Sequence, residues 1–235
     1  MSASIPDTVT DALGDVPVEG ARALEAGAGV GNGTAGLLAA GAETVYSVTD
    51  EPDHARTVRD RCPSATVLEA DLGAVPLPDD TVDVVLAHGL FNVLPNETAT
   101  AVAAELTRVA APGGWLVVDD YDPHPPDSRI RQLIAVENAL AELATSRPAY
   151  VFYPAGELRT LFEGHGWAHE RTATLLQPVP WTTEHLRAHR DAARRVATSL
   201  PNEVADPLLR RATQLAENGD ILTGRMYSLA FRNEA

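Results

Sequence analysis

The residues whose spacing promises chemistry come early: Glu25-Ala26-Gly27-Ala28-Gly29-Val30-Gly31 sets a glycine at every second position behind a carboxylate. Where such a loop follows a strand and opens a helix, it leaves backbone N–H groups unshielded and brings the positive helix end up to a ligand. Spacing narrows the choice of ligand. A dinucleotide fingerprint, Gly-x-Gly-x-x-Gly, needs a third glycine where this chain has Asn32, or Thr34 if the count starts at Gly29. A phosphate loop needs a lysine after its glycines, and the chain has no lysine. A second cluster, Asp119-Asp120-Tyr121-Asp122-Pro123-His124, combines carboxylates with an imidazole, groups that suit a divalent ion. It defines no ligand set, so no metal is expected. Cys62 is the only cysteine, which excludes an internal disulfide and a cysteine zinc cage.

The elements that must position these residues alternate in period. Strands are expected over 21–26, 44–48, 66–69, 82–87 and 115–119, with helices over 32–40, 52–61 and 97–110 between them. Alternation of this kind makes parallel strands joined by crossover helices. The second half is richer in helix, over 128–145 and 155–164, with strands at 167–175 and 226–231. The fold class is therefore α/β: a doubly wound, seven-stranded, mostly parallel sheet flanked by helices. Between the last two strands, residues 179–222 hold two helical stretches, 183–199 and 202–217, broken at Pro201. This insertion could cap a pocket or mediate a homodimer.

At 235 residues, with no low-complexity linker, one domain spanning 1–235 is expected. Nothing at the start resembles a basic and apolar leader, and no stretch is apolar enough to span a membrane, so a cytoplasmic protein is expected. Acids outnumber bases 33 to 18, giving a net charge of −15, and every base is arginine. That balance suggests a halophilic protein whose self-repulsion is screened by salt. It also argues against nucleic acid as a partner.

Taken in order, the motifs resemble those of the class I S-adenosylmethionine-dependent methyltransferases. Glu25 to Gly31 is similar to that family's first motif, and Asp79 to Leu86 resembles its fourth, where Asp83 is more often structural than a ligand. Arg108 to Gly114 looks like the family's Leu-Lys-Pro-Gly-Gly turn. The resemblance implies that S-adenosyl-L-methionine is the cofactor, with Glu25, Gly27, Ala28, Gly29 and Gly31 around its methionyl and ribose parts. An acid at the end of the second strand should hold the ribose hydroxyls; Thr49 stands at that position and Asp50 follows it, so either one is a candidate. Asp71 and Leu72 resemble the pair that contacts adenine.

The run Ala87-His88-Gly89-Leu90-Phe91-Asn92-Val93-Leu94-Pro95 corresponds to the segment beside the reacting methyl, which implies Ala87 and His88 near it. Methyl transfer needs mainly an aligned acceptor lone pair, and a base is optional. His88 is the candidate base, with hydrogen bonding to the cofactor or a neighbouring loop as its alternative role. Asn92, Tyr121, His124 and Tyr153 are the expected acceptor-pocket residues. No Asn-Pro-Pro-Tyr or Asp-Pro-Pro-Tyr sequence occurs, which disfavours enzymes that methylate nucleobases or glutamine amides. A small-molecule acceptor is the expected partner, with a cofactor-binding protein without catalysis, or an enzyme acting on RNA or protein, as alternatives.

Overall fold

The computed structural model describes residues 5–217 and 219–234. A short helix α1 (Asp7–Leu13) precedes strand β1 (Arg22–Ala26), helix α2 (Asn32–Ala39), strand β2 (Thr44–Thr49), helix α3 (Pro52–Arg61) and strand β3 (Thr66–Glu69). Strand β4 (Val82–His88) leads through one 3-10 turn (Phe91–Val93) into helix α4 (Asn96–Val109) and strand β5 (Ala110–Tyr121). Helices α5 (Arg129–Thr145) and α6 (Ala155–Gly164) and strand β6 (Trp167–Leu176) follow. Then come β7 (Pro180–Trp181), α7 (Thr183–Ala197), α8 (Asn202–Ala216), β8 (Ile221–Leu222) and β9 (Met226–Asn233).

Seven of these strands form one sheet in the order β3-β2-β1-β4-β5-β9-β6. The first five in space run parallel, and β9 lies antiparallel between β5 and β6. This is the expected doubly wound sheet with helices on both faces. Alternation along the strands sorts the core into two layers. Leu24, Val85, Leu116, Val118 and Phe231 pack under α4 and α6 through Val102, Leu106, Leu158 and Phe162. Ala23, Val84, Leu86 and Val117 pack on the opposite face under α1 and α2 through Val9, Leu13 and Leu37. Chain order reverses between β1 and β4, so a crevice opens beyond their carboxyl ends, where ligands bind in sheets of this kind.

Two features depart from expectation. Helix α1 is seven residues long, too short for its period to show, but Val9, Ala12 and Leu13 bury one face of it. Strand β5 begins at Ala110 and not at Trp115, because Ala110 pairs with Val82 across a register shift before the regular ladder starts. The 179–222 segment, whose residue 218 lies outside the described residues, holds α7 and α8 between the arms of a two-stranded ribbon, β7 with β8. Its Leu186, Ala193, Ala197, Ala205, Ala212 and Leu215 share one core with Ile130, Leu133 and Leu140 of α5. Among the described residues no helix is long and apolar enough to cross a membrane.

The crossover from β1 to α2 leaves no space at Gly33. A methyl group there would stand 2.3 Å from Glu25 Oε1 and 2.9 Å from a Leu86 methyl carbon. Alanine normally favours a helix over glycine by about 1 kcal/mol. Gly33→Ala is nevertheless expected to destabilise the protein, by about 2 kcal/mol, because overpacking exceeds the propensity gain. Urea unfolding of the variant checks this; a midpoint equal to or above the wild type contradicts the packing described.

Candidate active site

The glycine loop turns because Gly27, Gly29 and Gly31 take φ of 75°, 48° and 79°, the left-handed region that side chains resist. Its ends are fixed: Gly27 N and Ala28 N both donate to Val48 O, at 3.0 and 2.9 Å. At Gly29, a built methyl would find only Gly27 O, 3.9 Å away, so the loop's middle faces open space. Behind the loop Glu25 is 3 % exposed, and its Oε2 accepts from Thr34 N at 2.7 Å and from the Thr34 hydroxyl. Thr34 Oγ1 also meets Ser47 Oγ at 2.7 Å. One buried chain of polar atoms thus joins β1, the first turn of α2 and β2.

Before the loop lies a cleft of about 590 Å³. Gly27 and Gly29 form one side, Thr49, Asp50, Glu51 and His54 the next, Asp71 and Leu72 a third, and Gly89, Leu90, Val93 and Leu94 the fourth. This donor set suits a nucleoside with an aminoacyl end. Asp50 and Glu51 present exposed carboxylates to the cleft, groups that could accept from a vicinal diol. Thr49 is buried and its hydroxyl accepts from Glu51 N at 3.2 Å, so it shapes the turn. Asp71 uses Oδ1 to accept from Gly73 N at 2.7 Å, which leaves Oδ2 for an amino group. Leu90 and Leu94 give the cleft an apolar wall for a ring.

At the carboxyl ends of β4 and β5, beside this cleft, one histidine pairs with one buried acid. His88 Nδ1 lies 3.1 Å from Asp119 Oδ2; the imidazole is 17 % exposed and the carboxylate fully buried. Burial opposes the charged imidazole, but the bond to Asp119 and the fields of Asp119, Glu25 and Asp120 outweigh it, so the His88 pKa is raised. Desolvation lifts Glu25 to about 7 against the bonds from Thr34, and lifts Asp120 to about 6 against those from Asn92 and Tyr121. Asp119 Oδ1 is buried without a hydrogen-bond partner among the described residues. A histidine held at Nδ1 by a carboxylate can accept a proton at Nε2.

Residues 24–118 match the methyltransferase domain family. Over that segment the chain resembles the class I S-adenosylmethionine-dependent methyltransferases. It is 29% identical over 153 residues to an uncharacterized methyltransferase-like protein of Schizosaccharomyces pombe, covering 63% of this chain and 54% of that one. With a demethylmenaquinone methyltransferase of Beutenbergia cavernae it shares 35% identity over 116 residues, 49% of this chain and 46% of the relative. The chain thus spans about half the length of these curated relatives. In fold it is similar to the YcgJ protein of Bacillus subtilis, with a TM-score of 0.68 at 13% identity, covering 97% of this chain and 99% of that one. A geranyl diphosphate methyltransferase solved with its methyl donor superposes with a TM-score of 0.60 at 14% identity, over 97% and 83% of the two chains.

The residues predicted from the sequence separate into groups. Gly27, Gly29, Thr49, Asp50, Asp71 and Leu72 meet at the cleft. Ala28, Gly31, Ala87 and Glu25 stand behind its wall: Ala28 and Ala87 are buried, Gly31 opens α2, and Glu25 braces Thr34. His88 is not among the residues that line the cleft, although its chain neighbour Gly89 is. The four expected acceptor residues are not gathered in one place. Asn92 is fixed by Asp120, which accepts from its backbone N at 2.9 Å and its side-chain N at 2.8 Å. Tyr153 places its hydroxyl 2.8 Å from Leu94 O and from Asn96 Oδ1. Tyr121 lines a separate cavity, and His124 lies buried within 4.7 Å of Phe152 and 5.0 Å of Trp181, ring centre to ring centre. Glu51, His54 and Arg147 line the cleft without having been singled out; Glu51 was adjacent to a named acid, whereas nothing local marks Arg147.

The raised carboxyl of Glu25 sets a pH dependence. A folded pKa of about 7 against an ordinary 4.5 favours the protonated native state. The associated stability is complete below pH 4.5 and is lost as pH rises through about 7. Asp120 and His88, also raised, act in the same direction. Unfolding free energy is therefore expected to fall between these limits, and Glu25→Gln to flatten the fall by about 3 kcal/mol, the equivalent of that shift. Urea titrations across this range check it, and a slope identical in the variant contradicts it.

Proposed function

We propose that the protein transfers a methyl group from S-adenosyl-L-methionine to a small-molecule acceptor. The observation that carries the reading is the cleft, in which two left-handed glycines, Gly27 and Gly29, the acid pair Asp50-Glu51 and the Asp71-Leu72 turn converge. When bound there, the cofactor supplies an electrophilic methyl carbon whose bond to sulfur breaks as the bond to the acceptor forms, the electron pair leaving with sulfur. Gly27 and Gly29 admit its aminoacyl end, Asp50 and Glu51 hold the ribose hydroxyls, and Asp71 with the Leu72 N–H reads the adenine edge. His88 takes the acceptor's proton at Nε2, and Asp119 positions the ring through Nδ1. The 179–222 segment acts as a cap and not as a dimer element, a reading supported by the core it shares with α5. The excess of acids and the absence of lysine support a salt-adapted protein.

Calorimetry with S-adenosylhomocysteine tests the cofactor half of this reading. The wild type should bind, and Gly29→Val should fold with about 1–3 kcal/mol less stability, from its strained backbone, and bind about 100-fold more weakly, because its side chain would occupy the cleft. An unaffected variant overturns the site. For the chemistry, methyl-labelled cofactor and a fractionated cell extract should yield a labelled small product. His88→Ala should lower that rate about 100-fold with cofactor affinity retained, and Asp119→Asn should lower it and shift its pH profile. Label appearing only in macromolecules would move the acceptor to RNA or protein.

A further inference from the structure

The segment between β6 and β9 roofs a second cavity, of about 360 Å³, that the cofactor cleft does not use. Its volume is in the range of small-molecule sites. Tyr121, Tyr150 and Trp181 supply flat aromatic faces, and His185, His189 and Arg195 supply donors or positive charge. Among the described residues no Asp or Glu lines it, in a chain whose acids outnumber its bases 33 to 18.

Arg195 is the decisive side chain. On the same helix, Arg190 and Arg194 pair with Asp191, at 2.9 and 3.2 Å, whereas Arg195 forms no ion pair with a described residue. The acid behind this wall, Glu137, is buried and bonded 2.8 Å from His189 Nδ1. It orients that imidazole and does not face the cavity. An arginine fork beside aromatic faces, with no competing carboxylate, matches a planar molecule that carries an anionic group.

The strand register ties this cavity to the chemistry. Asp119 and Tyr121 are two residues apart on β5 and so project from one face of the sheet. Asp119 holds His88, and Tyr121 forms a wall of the cavity. The two side chains are therefore neighbours along the strand, about 7 Å apart. Behind that wall the His124 imidazole packs with its ring centre 6.5 Å from that of Tyr121 and 5.0 Å from that of Trp181.

We propose that this cavity holds the methyl acceptor and selects a planar aromatic anion, with its ring against Trp181 and the two tyrosines and its charge on Arg195. Describing the occupant as an acceptor rests on the methyl-transfer reading; its chemical class rests on the cavity alone. The test compares hydroxynaphthoate with its neutral isostere, hydroxynaphthamide, by calorimetry on the wild type, Arg195→Gln and Arg195→Lys, with S-adenosylhomocysteine titrated separately into each. The anion should bind the wild type at least about tenfold more tightly than the amide. Arg195→Gln should remove the preference, Arg195→Lys should keep part of it, and cofactor affinity should stay unchanged in all three. Equal affinities in the wild type, a preference that survives Arg195→Gln, or no binding of either compound would overturn the inference. Failure of the wild type to bind S-adenosylhomocysteine would overturn the methyl-transfer reading instead, and the naphthalene titrations would still decide the cavity.

Discussion

A single buried carboxyl group, Glu25, carries the constraint on which the site depends. It sits at the end of the innermost strand of the parallel half and accepts from both the backbone and the hydroxyl of Thr34. Those contacts satisfy a donor that the first turn of α2 would otherwise leave open, and they fix where the helix begins. Ser47 extends the chain of bonds to the next strand. Because helix and strand are held at this point, the loop between them has one available path, and that path requires left-handed backbone at three alternate residues. Gly33 is part of the same constraint, since any larger residue would push the helix off the carboxyl. Desolvation makes the ionised form costly, and the bonds from Thr34 and the nearby imidazole partly offset it.

From that fixed point the molecule divides into two working halves along the sheet. Over β1, β2 and β4 the crevice at the order reversal forms a polar cleft with acids on its rim. Over β5, β9 and β6, α5, α7 and α8 form a separate apolar core that includes Leu176 and Met226 at the paired ends of β6 and β9. His88 and Asp119 stand at the boundary between the two. An acidic surface surrounds both halves, while the wall near Arg195 carries the opposite sign.

Most of the fold was legible because its strands are short apolar runs and its helices keep a clear period, so the alternation of elements specified a parallel sheet. The glycine spacing was legible for a stronger reason: side chains are excluded at those positions by backbone geometry, and only glycine satisfies it. Legibility failed where contacts are long range. Glu25 appears in the sequence as a ligand-facing acid, whereas in the fold it accepts from Thr34 and packs against Gly33 at the start of α2. Tyr121 and His124 were expected to share a pocket with Asn92 and Tyr153, yet Asp120 draws Asn92 to the other side of the sheet. Arg147 enters the cleft from beyond the end of α5, and nothing in its neighbours in the chain encodes that reach.

The placement of β9 has a consequence for how the chain is made. Among the described residues, strand β6 has no neighbour in the sheet except β9, and β5 finds its outer partner only there. At roughly 5–20 residues per second, a ribosome needs several seconds to move from the end of β6 through β9. During that interval the nascent sheet ends at β5 with an open ladder edge, a template for unwanted pairing. The α7–α8 segment is synthesised within that interval, and its packing on α5 can begin before the sheet closes. Assembly of the site would then finish with the insertion of one strand between two that are already waiting for it.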